Sequence, residues 1–368
     1  MEKRRLAIYP FNDECIVFSK FADLISDEYI FCEAAAPRSW YYSSKKINTS
    51  EGEYTVKYSI NDFEHKCNTL LIPDFCDSNF ADLSIAKEIC KYADRFEEII
   101  SDAFFSDESL KLLNSKCKES GCVFKNLKDC DDNIKLPEIS QFLCQNSVPV
   151  IAVAGMWENT DKFYVQLQLK RTLEKNGYKV SLVASKDYAE LFGAHRFPEF
   201  MLCQSEPENS KPVVFSEYLF NLEKKENPDV IIVGVPGPVH TLSDKITKGY
   251  GILPYITFQS FCPDFFIYCS LYFDKKELME EECNLCKYRL GVYPDIVHIS
   301  NVNIKIDEQA SMDGCSLQKI DNDAVNSIIN DINEIGKVKA MDLVSDEFID
   351  KMMQTIEDKL CHDEWNVV

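Results

Sequence analysis

Within "PVIAVAGMWENTDKF" (149–163), residues 155–162 have the outline of a loop that grips phosphate. An apolar run, 150–154, meets Gly155, and an amphipathic stretch follows. The phosphate-binding pattern G-x-x-x-x-G-K-[ST] uses its second glycine to let backbone N–H groups curl round the anion, and its lysine to supply charge. Here those two positions hold Thr160 and Asp161. An unpaired carboxylate about 4 Å from a phosphate costs roughly 4 kcal/mol at an effective dielectric of 20. Lys162 comes one residue late, which turns it by about 100° around a helix. Asp161 is therefore expected to serve as a helix N-cap, or as a first-turn carboxylate at the positive end of the helix dipole. Trp157, Glu158 and Asn159 fall at the expected exposed tip. An aromatic ring flanked by polar groups there suits ligand or peptide recognition; the alternative is a tryptophan folded back over its own domain.

A second loop with site-forming residues is "GVPGPVHTLSDKITKGYGILP". Gly234, Pro236 and Gly237 predict a rigid turn, followed by His240, Thr241, Ser243 and Asp244. His240 is one of five histidines and has no visible partner in the sequence, so it reads as a site wall or as an ordinary hydrogen-bonded residue. If a nucleotide with Mg²⁺ binds, Lys162 would replace the missing lysine and Asp161 or Asp244 would hold the ion. Cys283 and Cys286 form a C-x-x-C pair, but zinc and iron–sulfur centres need about four ligands and no second pair is visible. Glu280, Glu281 and Glu282 would raise rather than lower the thiol pKa values. No nucleophile–base pair is recognisable.

These loops require strands to end where they begin. Apolar runs at 5–11, 29–36, 69–75 and 98–104 alternate with helical spacing at 14–25, 81–96 and 106–121, which implies a parallel sheet. From 149 onward the alternation is stronger, with strands at 148–155, 179–185, 229–237, 263–273 and 294–302, the last three opening on Pro-Asp. Phe163, Val165, Leu167, Leu169 and Leu173 mark the buried face of the helix after Gly155. The expected architecture is α/β, with two Rossmann-like parallel-sheet domains, the second resembling a degenerate P-loop NTPase domain. The domains are expected at 1–145 and 146–310, with closing amphipathic helices over 311–368. Ligands bind outside the carboxyl ends of the strands in such sheets.

A net charge of −21 argues against nucleic acid and anionic membranes as partners, and fits a basic peptide segment. No apolar run is long enough to span a bilayer and no secretory signal is read, so a cytoplasmic protein is expected. Its 16 cysteines then read as reduced thiols, mostly small core residues.

Four stretches, "GMWENTDKFYVQLQLKRTLEKNGYKV", "SKDYAELFGAHRFPEF", "DVIIVGVPGPV" and "GYGILPYITFQSFCPDFFIYC", together resemble the clostridial natural-product peptide maturation system proteins. These are accessory proteins of ribosomally synthesised, modified peptide clusters. The resemblance runs from about 148 to 303. It implies a precursor peptide and a modifying enzyme, such as a radical enzyme, as partners. The leading expectation is a peptide or small ligand bound at the carboxyl edge of the second sheet. A divergent P-loop ATPase or ligase activating a peptide group is the alternative, and a metal- or thiol-carrying factor the third.

Overall fold

The computed structural model describes residues 3–75, 79–129, 142–157, 160–202, 207–242, 247–306 and 315–362. The chain divides into two compact units, Met1–Cys130 with Asp187–Gly193, and Asp131–Lys186 with Ala194–Val368.

In the first unit the strands are β1 (Arg4–Ile8), β2 (Tyr29–Ala34), β3 (Lys46–Thr49), β4 (Gly52–Thr55), β5 (Thr69–Ile72), β6 (Glu98–Ser101) and β7 (Val123–Asn126). Its helices are α1 (Ile16–Lys20), α2 (Asn79–Lys91) and α3 (Asp107–Ser120). Five strands form a parallel sheet in the order β2-β1-β5-β6-β7, the doubly wound order of flavodoxin-like folds. β3 and β4 make a separate antiparallel hairpin that the alternation does not reveal. The helical spacing at 14–25 resolves into two 3₁₀ turns flanking the five-residue α1. α3 begins and ends as its sequence dictates. The Ser106 side chain accepts the Ser109 N–H, and Gly121 closes the helix at φ 71°.

The short segment Asp187–Gly193 belongs to this unit although it lies in the middle of the second unit's sequence. Phe18 packs on Tyr188 and Phe192 at ring distances of 5.5 and 4.7 Å. Lys128 bridges the carboxylates of Asp102 and Asp187, each at 2.7 Å. A single cut near residue 145 does not describe this return.

The second unit contains β8 (Val150–Gly155), α4 (Lys162–Lys175), β9 (Val180–Ala184), β10 (His195–Arg196), α5 (Glu199–Leu202), α6 (Lys211–Glu226), β11 (Val230–Pro238) and α7 (Ile252–Phe258). It continues through β12 (Phe265–Ser270), α8 (Lys276–Leu290), β13 (Ile296–Ile299), β14 (Val302–Ile306), β15 (Cys315–Lys319), α9 (Asn322–Ile335), β16 (Lys339–Met341) and α10 (Ile349–His362). Seven strands form a parallel sheet ordered β10-β9-β11-β8-β12-β13-β16, and β14 and β15 pair as a hairpin. The central strands β8 and β12 are buried throughout, as expected for continuous, largely apolar runs covered on both faces.

The three Pro-Asp pairs have a common mechanical role. Asp229, Asp264 and Asp295 each precede a strand and accept a backbone N–H from the neighbouring strand or its lead-in: Lys179 (2.7 Å), Val150 (2.7 Å) and Phe266 (2.8 Å). Proline ends the preceding segment, and the carboxylate then pins the register of adjacent strands at their amino ends.

All five predicted apolar positions of α4 are buried, and so are Lys162, Gln166, Gln168 and Lys170. The helix is thus enclosed on more than one face. Its polar groups are satisfied internally: Gln166 donates from Nε2 to Ser185 Oγ at 2.8 Å and accepts the Ser185 N–H through Oε1 at 3.1 Å. Gly234 in β11 makes room for that side chain.

A candidate ligand site at the carboxyl edge of the second sheet

The chain leaves β8 towards β9 and leaves β12 towards β13, on the opposite side. The strand order therefore reverses between β8 and β12, and their carboxyl ends flank the crevice where doubly wound sheets bind ligands. Gly155 ends β8 there, and the Met156 N–H is tied to the Cys269 carbonyl of β12 at 2.8 Å.

Gly155 is required by close approach. A Cβ at this position would lie 2.5 Å from Thr160 Oγ1 and 2.6 Å from Lys162 Cδ. Thr160 and Lys162 thus lie close over the end of β8, and Thr160 Oγ donates to the Trp157 carbonyl at 2.8 Å. Trp157 is not an exposed tip residue. It is 4 % exposed and belongs to the apolar core with Met156, Val235 and Val239, because burying an indole outweighs presenting it to water. Glu158, Asn159, Ser243 and Asp244 lie outside the described residues.

Asp161 occupies the N-cap position of α4, but its side chain makes no cap bond. Its backbone is left-handed, φ 57° and ψ 16°, a conformation that is uncommon outside glycine although aspartate tolerates it better than most residues. The carboxylate instead reaches the end of β13. Its Oδ2 accepts from Ser300 Oγ at 2.5 Å and lies 3.4 Å from His298 Nε2. The Leu343 N–H donates to His298 Nδ1 at 3.1 Å, which leaves Nε2 as the ring nitrogen that faces Asp161 as a donor. His298 and Ser300 are fully buried, whereas the Asp161 side chain is 33 % exposed.

Lys162 is not turned away from the loop. It opens α4, its methylenes lie over Gly155, and Nζ donates to the Gly237 carbonyl at 2.7 Å. This hydrogen bond ties together the two loops singled out by their residues. Gly237 has φ 77°, and after it the Val239 N–H returns to the Gly155 carbonyl at 2.9 Å. Pro236 is half-buried beside it. Gly234, by contrast, serves helix packing and does not line the crevice, because Gln166 fills the space at its Cα.

His240 has partners that its own loop does not reveal. It is buried, Nδ1 lies 2.8 Å from the Thr241 carbonyl, and Nε2 lies 2.7 Å from Glu282 Oε2. Both ring nitrogens face acceptors, so the ring is held as an imidazolium paired with a carboxylate. Tyr268 donates to the same Glu282 oxygen at 2.9 Å. Burial opposes the charge on His240, but the hydrogen bond and charge of Glu282, with the Thr241 carbonyl, outweigh it and raise its pKa above the ordinary value.

Cys283 and Cys286 are fully buried beside this cluster. Burial pushes the Cys283 thiol up to about 12 and the Cys286 thiol well above its ordinary range. Among the described residues no group of three or more His, Cys, Asp and Glu side chains is arranged to hold a metal ion. Native-state alkylation at neutral pH should therefore modify the exposed Cys262 and spare Cys283 and Cys286 until the protein unfolds. Peptide mapping after labelling would check this, and early labelling of either buried thiol would contradict the packing.

Fold and site together define a two-unit α/β protein whose second sheet carries a P-loop-like strand–loop–helix in modified form. Neither a protein-family model nor a curated protein sequence matches the chain. Among solved structures, a DUF1611 family protein from Anabaena variabilis is similar, with a TM-score of 0.57 at 11% identity, covering 96% of this chain and 100% of that one. At that identity the likeness is one of fold. Among the described residues no helix is long and apolar enough to cross a membrane.

Proposed function

We propose that this protein is a cytoplasmic accessory factor in the maturation of a ribosomally made, post-translationally modified peptide. In this reading it binds a peptide or small ligand at the carboxyl edge of the seven-stranded sheet, beside a modifying enzyme such as a radical enzyme. The observation that carries the ligand site is the opposed anchoring of two adjacent charged residues. Asp161 is turned to Ser300 and Lys162 to Gly237, which fixes a loop with a left-handed kink at the sheet's switch point. Strained backbone of this kind concentrates at ligand sites. The resemblance over 148–303 and the net charge of −21 support a peptide carrying basic residues as the partner. Calorimetric titration with the small peptides encoded beside the gene tests this. Saturable binding that weakens with added salt is expected, and a flat titration with every such peptide overturns the reading.

A nucleotide is the second reading, and one observation favours it. Asp161 adopts the backbone conformation that glycine fills most easily and directly precedes a lysine that opens the helix. The loop is then one residue longer than a P-loop, with its lysine retained. Thermal-shift measurements with ATP or GTP and Mg²⁺ separate the two readings. A rise of several degrees that is lost in Lys162→Ala supports nucleotide binding, and no rise at millimolar nucleotide removes it.

A further inference from the structure

We infer that the ligand group read at this edge is a cationic nitrogen, the ammonium or guanidinium of a peptide, and that Asp161 is the residue that takes it. The inference rests on the ligand site proposed above and narrows its chemistry. A carboxylate at a helix N-cap position ordinarily accepts N–H groups of its own first turn. Asp161 forgoes that use and accepts from β13 instead, at Ser300 and His298. Both contacts fall on Oδ2; neither involves Oδ1, and the side chain keeps a third of its surface exposed at the mouth of the crevice. Among the described residues no lysine or arginine is paired with Asp161; its neighbour Lys162 is directed to the Gly237 carbonyl.

The supports behind the carboxylate are built to keep it acceptor-only. His298 is fully buried and its Nδ1 is occupied by the Leu343 N–H, so the ring can give Asp161 a hydrogen bond without supplying an exposed competing cation. Ser300 is likewise buried and donates. A carboxylate held in one orientation and partly desolvated in a strongly acidic protein attracts a donor cation rather than an anion. His298 and Ser300 act as positioning residues in this scheme.

The test is an amide-resolved NMR titration of the full chain with four probes of matched size. They are N-acetyl-lysine methylamide, N-acetyl-arginine methylamide, norleucine methylamide with its free amino terminus, and neutral N-acetyl-norleucine methylamide. Saturable shifts at the amides of 160–162 and 300 are expected with one or more of the three cationic probes and not with the neutral one. Which cationic probe acts identifies the source of the nitrogen. Asp161→Asn preserves shape and tolerance of the left-handed backbone while removing the charge, and should weaken that binding by at least about tenfold. Equal responses to charged and neutral probes, no response to any, or unchanged affinity in the variant would overturn the inference. Binding of a neighbouring-encoded peptide that is indifferent to Asp161→Asn would leave the ligand site standing and remove only its cationic chemistry. Shifts at these amides produced by Mg²⁺ with nucleotide, and not by the cationic probes, would reassign the carboxylate to a metal ion and refute the inference.

Discussion

Replacing Gly234 with alanine is expected to reduce the unfolding free energy by about 3 kcal/mol, summing an overpacking penalty and two lost hydrogen bonds. The added methyl would sit 2.2 Å from both Cδ and Oε1 of Gln166, inside any permissible contact. Gln166 has no open space to move into. It is fully buried and bonded to Ser185 through both ends of its amide, so relief requires leaving one bond or both. Gly237→Ala is the useful contrast. There the nearest heavy atom to the new methyl is Pro254 Cδ at 4.0 Å, and the cost comes only from the left-handed backbone at φ 77°. Denaturant unfolding of both variants would check the ranking. Combining Gly234→Ala with Gln166→Ala should recover part of the loss, because the double variant removes the collision. A Gly234→Ala protein as stable as the parent would show that α4 and β11 are not packed as described.

Glu282→Leu is expected to cost about 3 kcal/mol or more, the usual consequence of removing one member of a buried pair. The pair is largely shielded, with side-chain exposures of 9% for His240 and 15% for Glu282. Leucine would leave both the imidazolium and the Tyr268 hydroxyl without their shared acceptor. The pH dependence carries a definite sign. His240 has a folded pKa raised above its unfolded value of about 6.5, so its contribution is fully present below that value and fades as pH rises through the folded pKa. The stability difference between the parent and Glu282→Gln should therefore be largest in mildly acid solution and shrink towards alkaline pH. Melting temperatures of both proteins across that range would measure it. A difference that grows with pH would mean that His240 is neutral in the folded protein.

Much of the scaffold is legible in the residues because local physics dictates it. Long β-branched runs such as β8 and β11, capped helices such as α3, and Pro-Asp strand starts need no distant information. The sheet's outer members are less visible. β10 has two residues and β16 three, too few for any periodicity to register. The site divides in the same way. Gly155, Asp161, Lys162 and Gly237 stand out by type and spacing, but the partners that define their roles do not. Ser300 and His298 are 139 and 137 positions from Asp161, and Glu282 is 42 positions from His240. Only closure of the sheet brings them together. The available hint is the polarity of His298 and Ser300 at the end of an otherwise apolar strand. Trp157 shows the opposite limit: the folded-back reading is the one the structure takes. Polar neighbours in sequence say little about where a large ring comes to rest, so the residues alone do not choose between it and an exposed tip.

The return of Asp187–Gly193 to the first unit bears on how the protein can be taken apart genetically. A fragment ending at residue 130 would lack Tyr188 and Phe192, uncovering Phe18, and would leave Lys128 without one of its two carboxylates. The complementary fragment would carry those same aromatic rings with nothing to cover them. The two halves are not interchangeable modules that one cut can separate. Exchanging either half with that of a relative would require moving the seven-residue insert together with the amino-terminal half, as a single inherited set.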